Sequence, residues 1–166
     1  VEVMAERLRD IDPTVELRLL GEFLQPDAAE TLVAAAPYSY VADCIDSIAC
    51  KAALVATCHR HGVPVISALG AGNCLDVTRV RISRLDQTQV CPLARELRRR
   101  LREREAPLRY PVVYSDEPRR PPLPHQPVGG DVPGRFRAVN GTISYMPALF
   151  GILLAGYIVQ RLLDEG

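Results

Sequence analysis

Short, unbroken apolar runs alternate along this chain with segments whose apolar residues recur every three or four positions. Val3, Met4, Leu8 and Ile11 have helical spacing, and the helix is expected to end near Asp10, because the residue before Pro13 avoids helical angles. Val15, Leu17 and Leu19 alternate, which predicts a strand over residues 14–23. Residues 25–37 predict a helix, with Asp27 and Glu30 spaced as in a capping box and Pro37 beyond its end. A short strand at 38–43, a helix closed by Gly62 and a strand at 63–69 follow. This β-α-β-α-β succession predicts an α/β fold, a parallel sheet covered by helices on both faces.

Beyond residue 78 the alternation at 79–85 predicts a strand, and Leu93, Leu97 and Leu101 place one apolar stripe on a helix at 91–105. Residues 110–115 predict another strand. Proline and glycine crowd residues 117–134, which predicts a mobile loop. The last segment is apolar, and 143–163 approaches the length of a membrane span. Pro147, Gly151 and Gly156 interrupt it, and Gln160 and Arg161 follow, so a helix buried against the sheet is the expectation. Membrane association is the lesser reading.

Composition narrows the field. The 166 residues suit one domain, and a hydrophobic fraction of 48% excludes a disordered tail. The net charge of zero hides an asymmetry: residues 1–50 hold ten acids against three arginines, the rest seventeen basic residues against ten acids. A basic half of that kind points to an acidic partner or to a solvated face. The five cysteines form no CxxC pair and no secretory signal is evident, which predicts reduced thiols in the cytoplasm and no zinc site. Cys44, Cys50 and Cys58 read as buried or helix-packed; Cys74 and Cys91, in loop-like segments, read as more accessible. The opening residues enter in mid-pattern without a methionine, as expected for the C-terminal part of a longer protein.

The candidate chemistry gathers where predicted strands give way to helices. In open parallel sheets ligands bind beyond the carboxyl ends of the strands. Asp43 and Asp46 stand at such a point, and an acid there either holds Mg²⁺ against substrate phosphates or caps the next helix. Spacing alone favours the cap for Asp46. Gly70 and Gly72, after the next strand, would allow close approach of a ligand to the backbone, or simply form a turn. The helix at 93–105 carries Arg95, Arg98, Arg99, Arg100, Arg102 and Arg104, either a phosphate-binding array or a solvated face paired with Glu96, Glu103 and Glu105.

Six stretches, in order, resemble one family: "VEVMAERLRDIDP", "YSYVADCIDSIACKAAL", "VPVISALGAGNCLDVTRVRISRL", "CPLARELRRRLRE", "PVVYSDEP" and "NGTISYMPALFGILLAG". The chain resembles the tRNA threonylcarbamoyladenosine dehydratases, of the ThiF/MoeB/HesA ubiquitin-activating-enzyme-like superfamily. The resemblance implies a Rossmann-like, mostly parallel sheet. It also implies that residues 1–166 are the C-terminal part of a single adenylating domain whose glycine-rich nucleotide loop, ribose-binding acid and N-terminal arginines lie upstream. This portion alone is then expected to be inactive. Asp46 matches the acid that helps hold Mg²⁺ and ATP. Asp43 would support it, and Ser47, Lys51, Gly70 and Gly72 would belong to the same mouth.

The activity implied is ATP-dependent adenylation of the threonylcarbamoyl carboxylate on a tRNA adenosine, then ring closure with net loss of water. The implied partners are tRNA, contacted by Arg95, Arg98, Arg99 and Arg102, a second copy in a homodimer, and sulfur-relay proteins. ThiF- and MoeB-type relatives carry two zinc-binding CxxC pairs, which this chain lacks, and this favours the dehydratases. The family's cysteine near the final helix is also unmatched in "VNGTISYMP", so a covalent thioester is not expected. An adenylyltransferase acting on a ubiquitin-like sulfur carrier, and a non-catalytic scaffold, are the alternatives.

Overall fold

The computed structural model describes residues 1–121, 123–126 and 137–164. Its helices are α1 (Glu2–Ile11), α2 (Ala29–Ala34), α3 (Ile48–Arg60), α4 (Pro92–Arg102) and α5 (Tyr145–Asp164). Its strands are β1 (Val41–Asp43), β2 (Val65–Ala68), β3 (Val80–Arg84), β4 (Pro111–Ser115), β5 (Leu123–Gln126) and β6 (Arg137–Val139). The main sheet has the order β1-β2-β4-β3. The first three strands run parallel and β3 runs antiparallel on the edge.

Successive residues of the central strands feed opposite faces, as the pleat requires. On one face Val65 and Val112 join Val55, Leu97 and Leu101 of α3 and α4. On the other, Ile66 and Val113 pack with Met146, Phe150 and Leu154 of α5. Burying each such side chain is worth about 1.5–3 kcal/mol, so the two clusters fix both helix layers on the sheet. Gly62, at φ +66°, ends α3, and the Val63 N–H returns to the Cys58 carbonyl at 2.9 Å.

Three expectations are corrected. Residues 14–23 form no strand: alternation supplies two faces, but no described strand offers this segment a hydrogen-bonded ladder. Asp27 and Glu30 make no capping box; α2 lacks a side-chain cap, and Glu30 instead pairs with Arg60 at 2.6 Å and with His61. Within the predicted 117–134 loop, Leu123–Gln126 is a strand paired antiparallel with Arg137–Val139. Residues 122 and 127–136 lie outside the described residues.

The final helix meets its expectation in part. Met146, Phe150 and Leu154 are buried on the sheet, while Ile152, Val159 and Leu163 are exposed. By length and composition α5 is long and apolar enough to cross a membrane.

Candidate functional site

The parallel strands β1, β2 and β4 end at Asp43, Ala68 and Ser115, so their carboxyl ends share one edge of the sheet. A cavity of about 970 Å³ opens there, near the upper end of the roughly 300–1,000 Å³ usual for small-molecule sites. Asp46 lines it from the β1–α3 turn, Gly70 to Asn73 from the segment after β2, and Arg119 and Arg120 from the segment after β4. The start of α4 and the approach to α5 close the remaining sides, through Leu93, Asn140 and Phe150 among others.

Asp46 is exposed and its carboxylate makes no hydrogen bond or ion pair among the described residues. It does not cap α3: Ser47 holds the N-cap position, and no side chain caps that end. The cap reading that spacing favoured is therefore set aside. A single free carboxylate at a strand-to-helix mouth suits Mg²⁺, which takes one or two protein carboxylates and completes its shell with water and phosphate oxygens.

Asp43 and Lys51 are placed elsewhere. Both are buried, and Asp43 Oδ2 accepts from Lys51 Nζ at 2.7 Å and from Ser67 Oγ at 2.6 Å. Asp43 Oδ1 accepts from the Ile45 N–H at 3.1 Å, and Lys51 Nζ also donates to the Ala68 carbonyl at 3.0 Å. Both oxygens of Asp43 are committed, so neither residue lines the cavity. Their place is under its floor. The pair ties α3 to the ends of β1 and β2, and the Ile45 bond sets the turn that presents Asp46. Ser67 Oγ lies 3.1 Å from the Tyr110 hydroxyl, whose pKa burial pushes well above the usual tyrosine range. Ser47 likewise stays off the cavity wall.

Gly70 and Gly72 do line the cavity. Their carbonyls accept from Arg119 Nη2 and Nη1, each at 2.8 Å, and the same guanidinium touches the Cys74 sulfur. A Cβ on Gly72 would sit 3.3 Å from Asn140 Cβ, which explains the small residue there. Asn73, at φ +59°, stitches this loop to the approach to α5. Its Oδ1 accepts from the Gly141 N–H at 2.9 Å and its Nδ2 donates to Asn140 Oδ1 at 2.9 Å. Asn73, Arg119 and Arg120 escaped the sequence reading because each stands in a loop without a spacing motif.

Cys50 and Cys58 are buried as expected, but three thiols depart from expectation. Cys74 and Cys91 are buried, whereas Cys44 is exposed at the cavity, its pKa raised by desolvation and by the Asp43 charge. The arginine helix divides as well. Arg98 turns inward onto the Leu85 and Thr88 carbonyls, both at 3.2 Å, so it is not a free phosphate ligand. Arg99 is held between Glu96 and Glu103, with Arg100 also on Glu96 at 2.9 Å, and these arginines bring the Glu96 pKa down to about 2. Arg95 and Arg102 are exposed and make no ion pair among the described residues.

Comparison with known proteins supplies the lineage. The model of the ThiF family matches residues 1–166. The chain belongs to the ThiF family. It is 42% identical over 101 residues to the tRNA threonylcarbamoyladenosine dehydratase of Escherichia coli (strain K12), covering 61% of this chain and 37% of that protein. It is 32% identical over 183 residues to tRNA threonylcarbamoyladenosine dehydratase 2 of Saccharomyces cerevisiae (strain ATCC 204508 / S288c), covering 99% of this chain and 40% of that one. The crystal structure of the E. coli tRNA N6-threonylcarbamoyladenosine dehydratase, TcdA, superposes with a TM-score of 0.83 at 30% identity, over 99% of this chain and 64% of that chain. A second structure of that enzyme, in complex with ATP, gives a TM-score of 0.80 at 29% identity. The architecture of this ThiF-family chain is thus Rossmann-like α/β. It spans under two thirds of these relatives' lengths.

Proposed function

We propose that this chain forms part of one ThiF-type adenylating domain in an ATP-dependent tRNA threonylcarbamoyladenosine dehydratase. The observation that carries the reading is the uncommitted Asp46 carboxylate at a cavity of about 970 Å³ beyond the parallel strand ends. Relatives named as this dehydratase, one with a structure in complex with ATP, give the reading its substrate.

Asp46 would hold Mg²⁺ against the phosphates of ATP. The ion, when bound, supplies positive charge that eases transfer at phosphorus. Asp43, fixed by Lys51 and Ser67, keeps the β1–α3 turn rigid and so keeps Asp46 in place. The threonylcarbamoyl carboxylate would attack the α-phosphate, with pyrophosphate leaving. The activated carbonyl would then close onto the carbamoyl group, and the carboxylate oxygen would leave on AMP. That oxygen, with two protons, is the water lost overall.

The same reading assigns tRNA contact to the exposed Arg95 and Arg102, and assigns a homodimer, sulfur-relay partners and a cytoplasmic setting to the whole protein. The test uses the full-length protein with Mg²⁺, ATP and tRNA bearing threonylcarbamoyladenosine. Mass spectrometry is expected to find a nucleoside lighter by one water, formed only with ATP. A folded, ATP-binding protein that leaves this nucleoside unchanged but adenylates a ubiquitin-like carrier would replace the reading with a carrier-protein adenylyltransferase.

A further inference from the structure

The charged groups lining the cavity fall into committed and uncommitted sets. Glu96 is paired with Arg99 and Arg100, and Arg119 is spent on the Gly70 and Gly72 carbonyls. Two groups remain: the Asp46 carboxylate, and the guanidinium of Arg120, which is exposed and makes no hydrogen bond or ion pair among the described residues. The backbone of Arg120 is fixed, for its N–H donates to the Asn73 carbonyl at 3.2 Å. Asn73 is itself bonded to Gly141 and Asn140, and the adjoining Arg119 pins the same loop. The stem of Arg120 therefore rises from a braced rim, and among the described residues its guanidinium meets no acceptor at the cavity.

We propose that Arg120 is an oxyanion-binding residue of this cavity, taking a carboxylate or phosphate oxygen of a reactant. A guanidinium offers two parallel N–H donors to such a group, which a point charge cannot match. Asp46 and Arg120 then form a two-sided site, with a cation held by the acid and an anion by the guanidinium. The assignment rests on the adenylating role proposed above only for the identity of the reactants. The binding of an oxyanion by Arg120 stands or falls separately.

The experiment uses the full-length protein as wild type, Arg120→Gln and Arg120→Lys, with Arg84→Gln as a control. Arg84 is exposed and paired with Asp86, away from the cavity. Titration calorimetry measures binding of three probes: inorganic pyrophosphate, an anticodon stem-loop RNA bearing threonylcarbamoyladenosine, and the same RNA with plain adenosine. Arg120→Gln is expected to weaken at least one probe tenfold or more, Arg120→Lys less, and Arg84→Gln not at all. A loss confined to pyrophosphate assigns the nucleotide phosphates; a loss confined to the modified RNA assigns the carboxylate; an equal loss on both RNAs assigns the RNA backbone. If Arg120→Gln binds all three as tightly as wild type, or wild type binds none, the proposal is overturned. Dehydration by the wild-type protein, scored in parallel, shows whether the adenylating reading survives that result.

Discussion

Lys51 is the only lysine of the chain and it is wholly buried, so its removal is a sharp probe of what lies beneath the cavity. Lys51→Met keeps the side-chain length but leaves Asp43 with only Ser67 and the Ile45 N–H, and the Ala68 carbonyl without its donor. Stranding one member of a buried pair costs about 3–5 kcal/mol. At roughly 2–4 °C per kcal/mol for a domain of this size, the melting temperature should fall by about 6–20 °C. The double variant Asp43→Asn/Lys51→Met removes the stranded charge and should recover part of that loss. Differential scanning calorimetry of wild type, both singles and the double measures the coupling. Site-resolved mass spectrometry after treatment with an amine-acylating reagent gives an independent reading: Lys51 should react only on unfolding. A loss below about 1 kcal/mol in Lys51→Met, or ready acylation of folded protein, would refute the buried pair, since neither fits an amine sealed against a carboxylate.

Three further outcomes follow from the same geometry. Arg102→Ala should weaken tRNA binding and lower the slope of log K against log salt by about 1, whereas Arg98→Ala should lower the melting temperature with that slope unchanged; equal slopes in both variants would contradict the division of the helix. Asn73→Ala loses its clasp bonds and places alanine in the left-handed region, so urea denaturation should show a loss of about 2–4 kcal/mol, with Asn73→Gly costing less. Burial lowers the His59 pKa, so its contribution to stability is complete above the unfolded value of about 6.5 and is lost as pH falls below it. An NMR titration midpoint for His59 at or above 6.5 would contradict this.

The sequence carried the fold further than the site. Short apolar runs located β1, β2 and β4, most clearly the central β2 and β4, because strands covered on both faces admit few polar residues. The same logic failed for residues 14–23, since periodicity reports which way side chains point and not whether a neighbouring strand exists. Asp27 and Glu30 had capping-box spacing, but ion pairing with Arg60 across to α3 drew Glu30 away, and a partner thirty residues distant leaves no local signal. In the site, the strand-to-helix junction marked Asp46 as a candidate, but its spacing favoured a cap, and only the resemblance to the dehydratases pointed it toward Mg²⁺. Asp43 stands three residues before it and was not separable by pattern, because only the tertiary approach of Lys51 and Ser67 commits its oxygens. Arg119 and Arg120 adjoin in sequence yet differ in fate for a similar reason: the carbonyls of Gly70 and Gly72 satisfy only the first.

The account turns on Asp46, and the most direct measurement is Mg²⁺-dependent dehydration of threonylcarbamoyladenosine-bearing tRNA by the full-length protein carrying Asp46→Asn. The substitution keeps the size of the side chain and removes the charge, and Asp46 holds up no hydrogen bond among the described residues. The account predicts at least a hundredfold loss of turnover, with the melting temperature within about 1 °C of wild type, in keeping with a stability change under ~0.5 kcal/mol for a substitution away from the core. Turnover within threefold of wild type at the same Mg²⁺ concentration would show that the acid at this mouth does not serve the reaction.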